Sequence, residues 1–211
     1  MRIDPAGWPF VGAAIVAGAL GALFLSTVLG LAFLILAGIF LFFFRDPDRV
    51  PTQAPGAVLA PADGRVLIAG PSTARDFPPD NWKQISMFLS PVDVHVNRLP
   101  VGGVVARVEY HPGQFLPAYR TDAGDLNEYT EVWIDHAGQP VVVRQVVGIL
   151  ARRVVCRIRQ GAEVQAGDRF GVMKFGSRMD VFVPADAQVM AKVGDRVVAA
   201  VTVIASLSQS R

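Results

Sequence analysis

The adjacent residues Gly176 and Ser177, within the segment FGSRMDVFVP (residues 175–184), carry the atoms that a chain needs to cut its own backbone. A serine hydroxyl can attack the carbonyl carbon of the residue before it, and glycine there places no side chain beside the tetrahedral intermediate. Glycine also tolerates backbone conformations that strain an amide. The resulting ester can eliminate to dehydroalanine, whose hydrolysis leaves a pyruvoyl group, a ketone that can serve as an electron sink. Read alone, the same tripeptide also fits a simple turn between two strands.

Two further segments contain side chains that could move protons. Asp63 lies in APADGRV, where an acid before glycine is also typical of a turn. His95 lies in FLSPVDVHVNRLP, and Asp93 would share a strand face with it if the segment is extended. An imidazole with an unperturbed pKa of about 6.5 can hold or release a proton at neutral pH. A structural histidine is the alternative interpretation.

Composition excludes several function classes. The net charge is +2 and no cluster of Lys and Arg is present, which argues against a nucleic-acid partner. Cys156 is the single cysteine, so an internal disulfide framework and a cysteine-rich zinc site are excluded. No spacing of His, Cys, Asp and Glu indicates a metal site, and no phosphate-binding glycine loop is present.

The N-terminal region predicts a membrane anchor. No charged residue occurs between Asp4 and Arg45, and this apolar run is far longer than the core of a signal peptide. At about 1.5 Å per residue one helix would reach about 55 Å, against a hydrocarbon core of about 30 Å. A helical hairpin with a break near Ser26 or Gly30 is therefore favoured over one long tilted helix. Arg45 and Arg49 place the following chain on the cytoplasmic face of the cell membrane.

The remaining sequence predicts a mainly β protein. We expect the anchor at residues 1–44, a Pro-rich and charged linker at 45–58, and a catalytic domain at 59–211. Short runs rich in Val, Ile and Phe alternate with turn residues through this last region, with no long amphipathic helix. The pattern favours a compact β-sandwich or barrel-like domain with a texture similar to lipoyl carrier domains.

Several motifs together resemble one enzyme family. In order they are FFRDPDR, APADGRV, FLSPVDVHVNRLP, VEYHPG, LNE and FGSRMDVFVP. They resemble the short, archaeal-type branch of the pyruvoyl-dependent phosphatidylserine decarboxylases, from about Phe42 to the C-terminus. The resemblance implies a proenzyme that cleaves itself into a β chain of residues 1–176 and an α chain of residues 177–211, with Ser177 becoming the pyruvoyl group. It further implies a carboxy-lyase that forms a Schiff base with phosphatidylserine and releases CO2 to give phosphatidylethanolamine.

The resemblance also implies site residues. Asp63 matches the aspartate of the family's DG motif and His95 the histidine of its DxH motif, both implied to assist self-cleavage and catalysis. Longer bacterial members have a second histidine three residues later, assigned to the cleavage relay, where this chain has Arg98. Either His95 serves both steps or Asp63 acts more directly. Arg98 and His111, the latter in YHPG, are candidates for substrate binding, with surface or turn roles as the alternative.

Other functions remain open at this point. The same chemistry could act on another serine-headgroup lipid, such as archaetidylserine. A membrane-anchored, lipoyl-like carrier or adaptor without catalysis is a different class, and Met173-Lys174 superficially resembles a biotinyl-lysine site. The residues after Lys174, Phe-Gly-Ser, do not fit such a site. The expected partners are a phospholipid substrate and the membrane, with α and β chains from one precursor; a homo-oligomer is left open.

Overall fold

The computed structural model describes residues 1–149, 154–174 and 176–208. Phe175 of the cleavage motif and the last three residues of the expected α chain lie outside the described residues. The chain folds as two units, Met1–Asp48 and Arg49–Arg211. The division between them falls within the expected linker.

The first unit is a hairpin of two apolar helices. A 3-10 turn at Pro5–Gly7 leads into α1 (Trp8–Phe24), and α2 (Thr27–Phe43) follows after Ser26, whose hydroxyl caps it by accepting from the Leu29 amide. Small residues let the helices approach closely, since a Cβ on Gly30 would lie 2.6 Å from the Ala22 Cβ. Pro5–Phe24 is long and apolar enough to cross a membrane, whereas Thr27–Phe43 is shorter.

The ends of the hairpin are joined by a short antiparallel pair. β1 (Arg2–Ile3) pairs with β2 (Arg45–Asp46), and the Asp4 amide donates to the Phe44 carbonyl. The chain therefore leaves this unit beside the point where it entered.

In the described part of the second unit, strands of two to nine residues alternate with turns, and α3 (Ala123–Leu126) is the one helical turn. Its described strands are β3 (Ala57–Leu59), β4 (Gly64–Pro71), β5 (Trp82–Leu89), β6 (Val96–Arg98), β7 (Gly103–His111), β8 (Tyr129–His136), β9 (Gln139–Val146), β10 (Val155–Cys156), β11 (Glu163–Val164), β12 (Arg169–Val172), β13 (Ser177–Pro184), β14 (Gln188–Val189), β15 (Arg196–Val197) and β16 (Val203–Ser206).

One large antiparallel sheet organises these strands. Its order is β11-β7-β8-β9-β13-β5-β4-β15, and it curls into a half-barrel. Two three-stranded sheets accompany it, β10-β12-β6 and β14-β16-β3. The prediction of a mainly β fold with an apolar helical N-terminus is confirmed.

Strand β13 lies between β9 and β5, and both of its faces are buried. Because side chains alternate along a strand, Met179, Val181 and Val183 face the main apolar core, while Arg178 and Asp180 point to the other side. This central strand begins at Ser177, so the sheet that forms the core also fixes the position of the cleavage motif.

Candidate active site

The predicted cleavage pair lies where the chain enters β13. Gly176 has a φ of +72°, a left-handed conformation that glycine adopts without steric cost. Ser177 pairs with Leu89 and is fully buried, and its Oγ has no hydrogen-bond partner among the described residues. Leaving a buried hydroxyl unpaired costs about 1–3 kcal/mol. The hydroxyl is thus shielded from water. It belongs to the residue directly after the Gly176 carbonyl, and it is not hydrogen-bonded to another described group.

His95 is brought to the same region by the chain on either side of it. It is fully buried, and its backbone carbonyl accepts from the Met173 amide at 3.1 Å. The turn before His95 begins after Leu89, which pairs with Ser177. Its other end is His95, which is hydrogen-bonded to Met173, a few residues before Ser177. Both residues therefore belong to one buried region.

The segment before His95 is a turn rather than the extended run that the alternating sequence indicated. The Asp93 carboxylate accepts from the amide and hydroxyl of Ser90 at 2.9 and 2.7 Å. His95 Nδ1 instead lies 2.9 Å from the Asp93 backbone carbonyl. Because a carbonyl only accepts, Nδ1 carries the proton in the neutral ring and Nε2 is its basic nitrogen.

A pair of buried amides lies on the same face of the sheet as Ser177, and motif reasoning missed both. Gln145 is opposite Met179 in the β9–β13 ladder, and its Nε2 donates to Asn97 Oδ1 at 2.7 Å. Asn97 Nδ2 and Gln145 Oε1 have no partner among the described residues. Exchanging O and N in both amides would still leave one N–H and one carbonyl to bind a ligand. Buried polar residues inside apolar strands were the available signal.

An apolar pocket of about 340 Å³ opens beside Gly176. Its lining comes from the end of β5, from the loop after β7 and from the segment after β9: Phe88, Pro91, Pro117, Ala118, Tyr119, Ile149 and Gly176. The lining is mostly hydrocarbon, so the pocket suits the apolar part of an amphipathic molecule whose reacting group reaches Ser177.

The other side of β13 carries a buried ionic network, here called the charged face: Glu131, Arg144, Asp180, Ser86 and Arg178. The first four are direct neighbours across β8, β9, β13 and β5. Arg178 Nε donates to Asp180 Oδ1 at 2.6 Å, and Arg144 Nε donates to Glu131 Oε1 at 2.8 Å. Burial lowers the pKa of Arg144, but Glu131 and Asp180 outweigh it, so the pKa lies above its usual value.

The charged face also holds the loop that lines the apolar pocket, here called the pocket loop (residues 117–124). Arg178 Nη1 donates to the carbonyl of Arg120 at 3.1 Å, and Arg144 Nη1 donates to the carbonyl of Gly124 at 2.7 Å. Two charged residues within the apolar run of FGSRMDVFVP were the sequence signal for this role.

Asp63 is held by a different set of groups. Arg49 binds both of its carboxylate oxygens, at 2.5 and 2.7 Å, and the Ala199 amide donates to Oδ1 at 2.9 Å. Arg49 follows soon after the apolar run, so this ion pair ties the start of the second unit to the DG motif. These contacts give Asp63 a structural function, and its part in self-cleavage stays a prediction.

Arg98 lines a second, polar cavity of about 550 Å³ rather than the apolar pocket. It is 4% exposed, its Nη1 donates to the Gly167 carbonyl at 3.2 Å, and it lies opposite Arg169 in the β6–β12 pair. Arg49 lines the same cavity. The structure therefore groups Arg98 with other arginines, at the opposite end of β6 from His95.

His111 lies at the end of β7, three strands from β13 in the sheet order. Its ring stacks on Tyr129 at 4.5 Å, and its Nε2 is 3.7 Å from Glu109. Glu109, His111 and Glu131 place potential ligand atoms within 4.8 Å of one another, but Glu131 already binds Arg144. The described lining of the apolar pocket does not include His111.

Comparisons with known proteins agree with the motif order. Residues 36–205 match the phosphatidylserine decarboxylase family. A phosphatidylserine decarboxylase proenzyme from Symbiobacterium thermophilum is 45% identical over 207 residues, which is 96% of this chain and 94% of the relative. One from Gluconacetobacter diazotrophicus is 41% identical, covering 98% and 95%. One from Mycolicibacterium smegmatis is 40% identical, covering 96% and 88%.

The matched region contains the buried serine, the histidine turn and the apolar pocket, and the relatives extend the similarity across nearly the whole chain. On this evidence the chain belongs to the phosphatidylserine decarboxylase family.

Proposed function

We propose that this protein decarboxylates phosphatidylserine to phosphatidylethanolamine after cutting its own backbone between Gly176 and Ser177. The observation that carries the proposal is the fully buried Ser177 hydroxyl, unbonded among the described residues and adjacent to a glycine in left-handed conformation. A proenzyme, the name given to the relatives, requires such a processing step.

The cleavage uses atoms that the chain itself supplies, together with one water molecule. Ser177 Oγ bonds to the Gly176 carbonyl carbon, the amide C–N bond breaks, and the hydroxyl proton passes to the amine nitrogen. Loss of the Ser177 α-proton then breaks the Cβ–O bond and releases the Gly176 carboxylate. Water replaces the nitrogen of the remaining dehydroalanine and ammonia leaves. Residues 1–176 and 177–211 become the β and α chains.

The site fits the group that results. The pyruvoyl ketone supplies an electrophile that accepts the electron pair released when CO2 leaves the substrate. Ser177 is fully buried, so a carboxylate bound there loses its hydration, which favours its departure as CO2. The unpaired amide groups of Asn97 and Gln145 supply a donor and an acceptor for the serine headgroup.

His95 is the proposed acid and base. Its Nδ1 proton is held by the Asp93 carbonyl, which orients the ring and leaves proton exchange to Nε2. In this role it protonates the substrate α-carbon after CO2 has left. Because Arg98 replaces the second histidine of longer members, His95 serves both steps in this proposal. Asp63 then acts mainly by fixing the DG turn through Arg49.

The apolar pocket and the anchor account for the lipid. The pocket beside Gly176 receives the glycerol and first acyl carbons, while the headgroup enters the buried site. The hairpin returns the chain to the side where it began, and Arg45 and Arg49 favour the cytoplasmic side. Confined to the membrane, the enzyme meets a substrate that does not readily leave the bilayer.

The test is Ser177→Ala in the full chain. We expect a single uncut polypeptide without decarboxylase activity, whereas the unaltered chain yields an α fragment of residues 177–211 with a ketone in place of its terminal amine. Gel electrophoresis and mass spectrometry detect both. Ser208→Ala, at an exposed serine of the same fragment, is the matched control and should cleave normally. Splitting of Ser177→Ala at this bond would remove Ser177 as the nucleophile.

A further inference from the structure

Gly148, which follows β9, makes an unusually close backbone contact. It is buried, and a Cβ built on it would overlap the Gly176 carbonyl oxygen. The next atoms it would meet are the Gly176 carbonyl carbon at 3.0 Å and the Ala118 Cβ at 3.5 Å. The β9–β13 ladder pairs Val146 with Arg178, so continuing the register by two residues places Gly148 opposite Gly176. The carbonyl of the proposed scissile bond therefore rests against the bare Cα of Gly148.

That carbonyl oxygen is the atom on which charge develops during self-cleavage. When Ser177 Oγ attacks, the electron pair of the C=O bond moves onto the Gly176 oxygen and returns as the C–N bond breaks. The direction of this carbonyl decides whether the hydroxyl meets the carbon at a productive angle. A contact that fixes the position of the Gly176 oxygen therefore also fixes the angle at which Ser177 Oγ approaches the carbonyl carbon.

We infer that Gly148 is a positioning residue for self-cleavage. Because it has no side chain, the Gly176 carbonyl can lie against it in the reactive orientation. The inference rests on the proposed cleavage between Gly176 and Ser177.

The neighbouring backbone cannot yield to a side chain at this position. The Val147 amide donates to the Glu128 carbonyl at 3.0 Å, and the Val147 carbonyl accepts from Asn127 Nδ2 at 2.9 Å. With both backbone groups of Val147 held, an added methyl group would displace Gly176 rather than Gly148. No atom lies within 4 Å of the position that a Cβ on Gly176 would take, so Gly176 can shift in that direction.

The effect should be confined to the cleavage step. The φ of Gly148 lies outside the left-handed region, so alanine can adopt the same backbone without strain. The serious overlap is with the Gly176 carbonyl alone. After cleavage Gly176 becomes the free end of the β chain and can move away, so the mature site should tolerate the methyl group.

The experiment is Gly148→Ala in the full membrane-bound chain, with cleavage followed by gel electrophoresis over time. We expect cleavage to slow about 100-fold, the loss associated with misplacing a reacting atom by about 1 Å. Gly38→Ala is the matched control, because a Cβ at that helical glycine meets nothing within 4 Å. It should cleave at the unaltered rate.

Two further measurements separate positioning from a general structural role. In the uncut Ser177→Ala background, adding Gly148→Ala should leave the melting temperature unchanged within a few degrees. Turnover per mole of pyruvoyl group, titrated with a hydrazide, should equal that of the unaltered enzyme in whatever fraction has cleaved. A marked loss of stability, or an equal fall in turnover and cleavage, would overturn the positioning role.

Failure of this inference and failure of the proposed function look different. If Gly148→Ala cleaves at the normal rate while Ser177→Ala stays whole, Gly148 has no positioning role and the decarboxylase proposal stands. If Ser177→Ala is itself cut at this bond, the proposal beneath the inference fails.

Discussion

Both faces of β13 are buried, but near Ser177 one face is apolar and the other carries charged side chains. Towards the core, Met179 and Val181 are fully buried among aliphatic side chains. Towards the pocket loop, Arg178 and Asp180 are equally buried, but they meet charged and polar groups. Ser177 begins the apolar face, and Arg178 begins the charged one.

The two faces of this strand therefore have different structural roles. Burial of apolar area stabilises the core face without demanding fixed directions. Hydrogen-bonded charges demand definite geometry, and the carbonyls that Arg178 and Arg144 bind belong to the pocket loop. The apolar face therefore sets the fold around Ser177, whereas the charged face sets the shape of the adjoining pocket.

Substitutions at adjacent residues on opposite faces should give the largest difference in the free energy of unfolding. Asp180→Ala leaves Arg178 buried without its carboxylate, which should lower the free energy of unfolding by about 3–5 kcal/mol. Val181→Ala removes two methyl groups from the core and should cost about 2 kcal/mol, from about 0.8 per group plus the cavity. Urea unfolding of the detergent-solubilised chain, in the uncut Ser177→Ala background, measures both.

The control for this pair is Asp180→Asn, which keeps an acceptor for Arg178 but removes the charge. Its cost should lie below that of Asp180→Ala. A larger loss at Val181 than at Asp180 would contradict the view that the buried ions depend on one another.

Much of this architecture follows from sequence, because its causes are local. Short Val-rich runs separated by turn residues predict the strands, and an uncharged N-terminal run predicts the apolar hairpin. The burial of Arg178 and Asp180 does not follow, because an alternating strand ordinarily exposes its charged side. The pocket loop and the segment around Phe77, both packed over the sheet, turn that side into an interior.

The candidate site divides in the same way. Gly176, Ser177 and His95 can be identified because their chemistry is carried by adjacent residues or short motifs. Gly148 cannot, since its importance depends on the register that places it opposite Gly176, 28 residues later in the sequence. The Asp63 ion pair is equally hidden, because nothing local links a DG turn to Arg49.

A change on the charged face should alter substrate use while sparing self-cleavage. Arg178→Met puts a shorter, uncharged side chain in place of arginine and removes its bonds to the pocket loop and to Asp180. Loss of the Asp180 pair also lowers stability, so activity is compared below the unfolding transition. We expect KM for phosphatidylserine in mixed micelles to rise about tenfold, equivalent to about 1.4 kcal/mol, with cleavage nearly unchanged. Steady-state assays of CO2 release, together with the extent of cleavage on a gel, separate the two effects.

The control for this change lies at the same position. Arg178→Lys retains the charge but not the fork that reaches both Asp180 and the loop carbonyls, so it should recover only part of the affinity. An Arg178→Met enzyme with normal KM would show that the pocket loop is held by other contacts. Loss of cleavage in the same variant would show that the two faces are not separable.

The smallest effect concerns Tyr129, whose ring lies 4.1 Å from the Arg144 guanidinium at the edge of the charged face. Burial raises the pKa of the Tyr129 phenol above its usual value of about 10, although Arg144 opposes the shift. The unfolded chain therefore loses this proton first. The contribution to stability is complete below about pH 10 and is lost as pH rises through the folded-state pKa.

The difference in absorbance at about 295 nm between the protein and Tyr129→Phe should titrate above pH 10 when folded and near pH 10 in urea. Titration at or below pH 10 in the folded protein would mean that attraction to Arg144 outweighs burial, and that the charged face is more open to water than the core face.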